Sequence, residues 1–198
     1  LTPAGQMMLR RANYLLDEAE KIEAIGHTLG EGIESILKIA VDEIFPQPPL
    51  YKVLDALSTQ FPLLQIELVE SILTGASELL ANKAVDIAIS PLSTSNSFSE
   101  ELCQIDFVAV ATPSHALHQL NRELTLEDLK SYRQIVVRDS AITRKKDEGW
   151  LGANQRWTVS HLRTSIEMIS NGFGFAWLPV TSITRQLACE QLKALPLS

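Results

Sequence analysis

Cysteine is scarce in this chain. The 198 residues hold two, Cys103 and Cys189, with no C-x-x-C and no metal-ligand spacing. That excludes a disulfide-stapled fold and a zinc ribbon, and predicts two buried structural thiols in a reducing compartment. Long apolar runs are also missing. No stretch approaches the roughly 20 residues that cross a bilayer, and no secretory leader stands at the start. Both absences point to a cytoplasmic protein with no membrane partner. Positive charge is in the minority, with 17 Lys and Arg against 24 Asp and Glu, a formal net charge of -7 and a pI near 5.1. Phosphate contact needs clustered cations, so this stretch alone is not expected to hold nucleic acid. Its strongest basic run, Arg144-Lys145-Lys146, is answered at once by Asp147-Glu148 and reads as a solvated loop. Catalytic signatures are absent too: no G-x-S-x-G, P-loop, G-x-G-x-x-G or H-E-x-x-H. "GFGF" at 172–175 lacks a third glycine and opens no helix. With no nucleophile set beside a base, the chain reads as no enzyme, with no cofactor and no metal.

What is present is ordinary globular composition, 45% hydrophobic and 21% charged, enough for one large domain or two small lobes. The chain opens inside a helix. Thr2 is a good N-cap and Pro3 fits the first helical position. Met8, Ala12, Leu15, Ala19 and Ile22 then recur at steps of four and three. That is a heptad seam, narrower than the stripe of a core helix. Arg10, Arg11, Asp17, Glu18 and Lys21 leave little second face to bury, so the seam predicts a partner helix in preference to a terminal helix packed on its own domain. Gly26 and Gly30 end the regularity.

After Gly32 the period changes. Residues 35–41, "SILKIAV", read as a strand buried on both faces. A proline-rich loop, "DEIFPQPPL", precedes helical spacing at Leu50, Val53, Leu54 and Leu57, which stops at Phe61-Pro62. "QIELVE" alternates as a strand, a short helix begins near Thr74, and "AVDIAIS" is a third buried strand. Such alternation implies a mainly parallel sheet with helices on its faces. A polar loop at 93–101 leads to the strand "IDFVAVA", which stops at Thr112-Pro113. A second set follows: a helix capped by Thr125 with Asp128 in its first turn, the strands "QIVV" and "RWTV", a helix capped by Ser160 and closed by Asn171-Gly172, a short "GFAW" strand, and a last helix over 180–191. Trp157, Phe173, Phe175 and Trp177 are expected in the core.

The ordered set of these pieces resembles the LysR-type family of bacterial transcriptional regulators. The matching residues are "LTPAGQMMLRRANYLLDEAEKI", Gly32 with "SILKIAV", "LLQIELVE", "ELLANKAVDIAIS" and "NGFGFAWLP". The resemblance implies an α/β fold of two Rossmann-like lobes, of the type 2 periplasmic-binding-protein kind, preceded by a linker helix. It implies a linker and dimerisation helix over 1–31, a first lobe over 32–110, a second over 111–191 and a return crossover over 192–198. It also implies a homodimer or homotetramer, a small-molecule effector held between the lobes, and DNA contact only through a winged helix-turn-helix preceding this stretch. The family usually continues beyond such a return crossover.

Ligands in open α/β sheets collect at strand carboxyl ends and helix N-termini. That rule, applied without the family, selects Asp42 and Glu43 after the first strand. After the second it selects Ser71, Ile72, Leu73 and Thr74, and after the third Pro91 and Leu92. Arg138, Asp139 and Ser140 follow "QIVV", and Ser160 with His161 follows "RWTV". The resemblance places effector contacts in the same loops. Arg138 suits a carboxylate clamp or an ion pair, and Ser71 and Thr74 suit a polar ligand or simple capping. Asp42-Glu43 departs from the family, which often has a small hydroxyl residue after this strand. Two carboxylates there repel an anion unless they point away or pair with Arg138 or His161, so a zwitterionic or basic ligand stays open. A free-standing solute-binding protein of the same fold, serving a transporter, is the alternative reading. The seam of the first helix argues against it.

Overall fold

In the computed structural model, residues 2–30, 36–92, 98–143, 146 and 148–197 are described. Gly32, most of the polar loop at 93–97, and Arg144 with Lys145 therefore lie outside the described residues. The chain clusters into two compact units: Leu1–Leu37 with Lys52–Glu67, and Lys38–Tyr51 with Leu68–Ser198.

The first unit is dominated by helix α1, Pro3–Gly30. Its start follows from chemistry: the Gly5 N–H donates to Thr2 Oγ1 at 3.2 Å, filling one of the orphan donors of a helix N-terminus. The helix continues through Gly26, where an added Cβ would meet nothing within 4 Å. The seam is bare within this chain. Met8, Leu15 and Ile22 are 73%, 67% and 68% exposed, and Ala12 and Ala19 are exposed with them. Helix α2, Gln47–Gln60, begins inside the segment expected to be loop. Pro48 and Pro49 sit in its first turn, where the missing N–H groups have no helical partner to lose. It ends at Gln60, before Phe61-Pro62, as the sequence predicts. Of its apolar positions only Leu50 is buried, and Val53 is 56% exposed.

The second unit takes in β1 (Ile36–Asp42) from Lys38 onward and β2 (Gln65–Ser71) from Leu68 onward, and β1 is flanked by β2 and by β3 (Ile87–Ile89). β1 and β3 pair in parallel, Ile39 against Ile87 and Val41 against Ile89. Burial of β1 is confined to its C-terminal half. There Ala40 packs with Ala76 of helix α3 (Gly75–Ala81) and with Val85. β3 is shorter than "AVDIAIS", and Ile87 is 47% exposed, so this strand is not buried on both faces.

β4 (Phe107–Ala111) pairs antiparallel with β7 (Ala176–Pro179) and with β8 (Lys193–Ala194). The parallel pairing expected over 35–90 does not extend to β4, whose pairings with β7 and β8 are both antiparallel. β5 (Arg133–Val137) and β6 (Gln155–Val159) pair in parallel, and a Gln134–Phe175 bridge ties β5 to the start of β7. Both faces of β4 are covered, which explains its unbroken apolar run. Ala109 and Ala111 pack with Leu117, Leu129 and Phe175, while Val110 packs with Ile135, Ile169 and Leu178.

The remaining helices are short: α4 (Ala116–Gln119), α5 (Leu126–Lys130), α6 (Leu162–Ser170) and α7 (Thr184–Ala188). Thr125 stands at the N-cap of α5 with Asp128 in the first turn, as expected, and Asp128 accepts the Thr125 N–H at 2.8 Å, forming a capping box. The single helix expected over 180–191 is divided into a 3-10 turn, Val180–Ser182, and α7. Thr181, Ser182 and Thr184 are weak helix formers whose hydroxyls compete for backbone, and Thr184 Oγ1 donates to the Val180 carbonyl at 3.1 Å. Two further expectations are corrected. Cys103 and Cys189 are both exposed free thiols, not buried ones. Phe175 is buried and Trp177 packs on it, but Trp157 and Phe173 are 37% and 46% exposed. Those two rings face each other at 5.9 Å, and the Arg133 guanidinium lies 3.8 Å over Trp157, a cation–π contact that suits a half-open ring. No helix among the described residues is long and apolar enough to cross a membrane.

Candidate functional site

Within the second unit, the loops after β1, β2, β5 and β6 meet, and their polar side chains bond to one another. Asp42, the last residue of β1, is 2% exposed. Its Oδ1 accepts the Ile44 N–H at 3.0 Å, while Oδ2 has no hydrogen-bond partner among the described residues. Burial pushes its carboxyl up to about 6 from an ordinary 3.8, against the N–H groups of Ile44 and Leu73 and with help from the charges of Glu43 and Asp139.

Glu43 reaches the start of α6. Its Oε2 accepts the Leu162 N–H at 2.5 Å and its Oε1 contacts His161 Nδ1 at 2.7 Å. A carboxylate there satisfies an orphan donor and faces the positive end of the helix. The expected cap is thereby corrected. The N-cap position is His161, not Ser160, and a residue of another strand's loop fills the role of its side chain. Of the two pairings expected for the Asp42-Glu43 couple, the one with His161 forms.

Asp139 is the second hub. It is 4% exposed and accepts from Ala141 N at 2.9 Å, Lys146 N at 2.9 Å, Thr74 N at 3.2 Å and the Thr74 hydroxyl. Burial acts to raise its pKa, and these donors outweigh it, holding the carboxyl below the ordinary range. Ser140 Oγ accepts the Ile72 N–H at 2.8 Å. Glu78 takes the Ile142 N–H at 2.5 Å, the Thr143 N–H at 2.9 Å and the Thr143 hydroxyl. The Thr143 hydroxyl, foremost among these, holds the Glu78 carboxyl low. Gly75 permits this approach: a Cβ there would lie 1.9 Å from Ser140 Oγ. Leu73, between the two hubs, has φ of 55°, a left-handed turn that a leucine adopts only under constraint.

Two cavities adjoin these loops. A groove of about 930 Å³ is walled by Asp42, Glu43, Glu70, His161, Arg163 and Glu167, with apolar surface from Phe45, Pro49, Leu68 and Ile166. A smaller one, about 410 Å³, is lined by Arg138, Asp139, Ser140, Ile142, Ser160 and His161. His161 belongs to both. Of the expected site residues, Ser71 is buried with its hydroxyl unpartnered among the described residues, and Ile72 and Thr74 are engaged by Ser140 and Asp139. Arg138 is exposed at the smaller cavity, and Pro91 is exposed and lines neither. Sequence reasoning missed Gly75, Glu78 and Thr143. The signal available for them was Gly-x-x-Glu opening a helix, which marks a tight approach and an acidic first turn but not the loop that they meet.

Residues 30–198 match the model of the LysR substrate binding domain. The chain is 29% identical over 197 residues to the probable HTH-type transcriptional regulator YhaJ of Escherichia coli (strain K12), covering 97% of this chain and 66% of that protein. It thus spans just under two thirds of that relative's length. Among solved structures, it is similar to CrgA, a LysR-type transcriptional regulator from Neisseria meningitidis, at 20% identity and a TM-score of 0.59, covering 99% of this chain and 68% of that one. The regulatory domain of AphB from Vibrio vulnificus, treated with cumene hydroperoxide, gives 16% identity and a TM-score of 0.60, covering 82% of this chain and 84% of that one. These likenesses bear out the expected α/β fold of the periplasmic-binding-protein kind. The chain belongs to the LysR substrate-binding-domain family.

Proposed function

We propose that this chain is the effector-sensing part of a LysR-type bacterial transcription factor, acting in the cytoplasm. The observation that carries the reading is a groove walled by the loop after β1 and the start of α6, beside a smaller cavity lined by the loops after β5 and β6, in a chain whose family match runs over 30–198. The proposed effector contacts are Asp42, Glu43 and His161 at the groove, Arg138 and Ser160 at the smaller cavity, and Ser71, Ile72, Leu73 and Thr74 in the β2 loop bonded to Asp139 and Ser140; Pro91, which lines neither cavity, is set aside. The first-lobe loops (32–110) are fastened to the second-lobe loops (111–191) by Glu43, Glu78 and Asp139. A ligand that binds the parted loops more tightly than the fastened ones shifts that balance. The bare seam at Met8, Ala12, Leu15, Ala19 and Ile22 supports self-association into a homodimer or homotetramer through α1. The shift then reaches DNA through a helix-turn-helix head like the one named in the relatives' descriptions.

A metabolite library screened by thermal shift, followed by DNA footprinting of the full regulator with each hit, tests the reading. A hit that stabilises the chain and also changes the footprint supports it. Hits that bind the groove and leave both footprint and transcription unchanged refute it.

A further inference from the structure

The groove's charge is one-sided. Asp42, Glu43, Glu70 and Glu167 line it against Arg163 and His161, and His161 is already committed to Glu43. Asp42 differs from the others. It is 2% exposed, and although the Ile44 and Leu73 N–H groups act on its carboxyl, Oδ2 makes no hydrogen bond among the described residues. On the neighbouring strand the Ser71 hydroxyl, 3% exposed, is likewise without a partner. Buried acceptors are normally satisfied, and a buried carboxylate oxygen without a donor is costly. The charges of Glu43 and Asp139 act on Asp42, and they repel an anion and favour a cation. No cluster of three metal-ligating side chains occurs among the described residues, so a metal ion has too few ligands here. An ammonium group, with three N–H donors on a compact charge, matches an orphan carboxylate oxygen. Phe45, Pro49, Leu68 and Ile166 offer apolar wall for the body that carries it.

Resting on the effector-sensing reading above, we infer that the ligand is a small primary amine whose ammonium pairs with the Asp42 carboxylate and whose apolar body lies in the groove. Oδ2 is screened from solvent while the loops are fastened. Entry of the amine therefore needs a path to Oδ2 to open, which couples recognition to movement of the loops around Asp42. Proton uptake competes with the amine: the Asp42 carboxyl sits near 6, so binding weakens as pH falls through that value.

The experiment titrates the chain with benzylamine, butylamine and butane-1,4-diamine, and with benzoate, butyrate and butanol as matched anions and neutral body. It runs at constant ionic strength and is read by calorimetry and thermal shift. The expected result is binding of amines alone, weakened about tenfold or more by Asp42→Asn, the loss of one charge-assisted bond. Glu101→Gln, an exposed change outside the groove, should leave binding intact. Circular dichroism confirms that both variants fold. Benzoate or butyrate binding as well as the amines, or Asp42→Asn binding benzylamine unchanged, overturns the amine inference and leaves effector sensing standing. Silence from every amine overturns it as well, and silence from a broad metabolite library removes the sensing reading too.

Discussion

Glu43 and Leu162 stand 119 residues apart, yet the Glu43 carboxylate accepts the first free N–H of α6 at 2.5 Å. A strand-end carboxylate thereby does the work of a helix cap. Glu43→Ala removes that acceptor and the His161 contact together. The expected cost is about 1–2 kcal/mol in urea unfolding, within the range of lost helix caps. Glu43→Gln keeps an acceptor for the Leu162 N–H and should lose less than half as much. Equal losses from both substitutions would place the contribution in the His161 contact instead.

Gly75 is pressed against Ser140. A Cβ at Gly75 would lie 1.9 Å from Ser140 Oγ and 3.3 Å from Ser71 Cβ. Turning Ser140 aside gives up its bond to the Ile72 N–H. Gly75→Ala is expected to destabilise by roughly 1–3 kcal/mol, as overpacking does. Ser140→Ala in the same chain should recover part of that loss, so a double-mutant cycle shows coupling between the two positions.

The sign of the pH dependence follows from Asp42. Its folded pKa, about 6, lies above the ordinary 3.8, so the folded chain keeps this proton longer than the unfolded one. The stability associated with it is full below about 4 and is lost as pH rises through about 6, on the order of 3 kcal/mol in all. Asp139 and Glu78 act oppositely. Their carboxyls are held low, so their contributions are present above the ordinary carboxylate range and lost as pH falls through their folded values. Denaturant unfolding followed across pH should therefore show a maximum in the mildly acid range. Asp42→Asn should flatten the decline toward neutrality and stabilise the chain at about pH 7.

The seam of α1 makes a simple claim about assembly. Leu15 is 67% exposed at its centre, between Met8 and Ile22. Leu15→Glu puts a charge into a packed helix pair but costs little on a solvated helix. Sedimentation should show the wild-type chain self-associating and the variant shifted toward monomer, with helical content retained. Identical sedimentation of the two would remove α1 as the contact.

Much of the fold was legible because apolar spacing is a local property. The strand-helix alternation over 36–92 and the capping box at Thr125 and Asp128 follow from neighbouring residues. Failures came where a local signal met a distant one. Three prolines suggested loop, yet Pro48 and Pro49 fit a first helical turn. Ser160 offered a capping hydroxyl, but Glu43 arrived from another strand. The candidate loops were legible from strand ends alone. Their bonding to one another was not, since it depends on the approach that Gly75 allows.

The central claim is that a small molecule is received where these loops meet. Amide chemical shifts of the isotope-labelled chain, followed during titration with benzylamine and then with a metabolite library, test it most directly. A ligand is expected to move the amides of Ile44, Leu73, Thr74 and Leu162, which report on the Asp42, Glu43 and Asp139 carboxylates. Ligands that shift other amides and leave these four in place would contradict it.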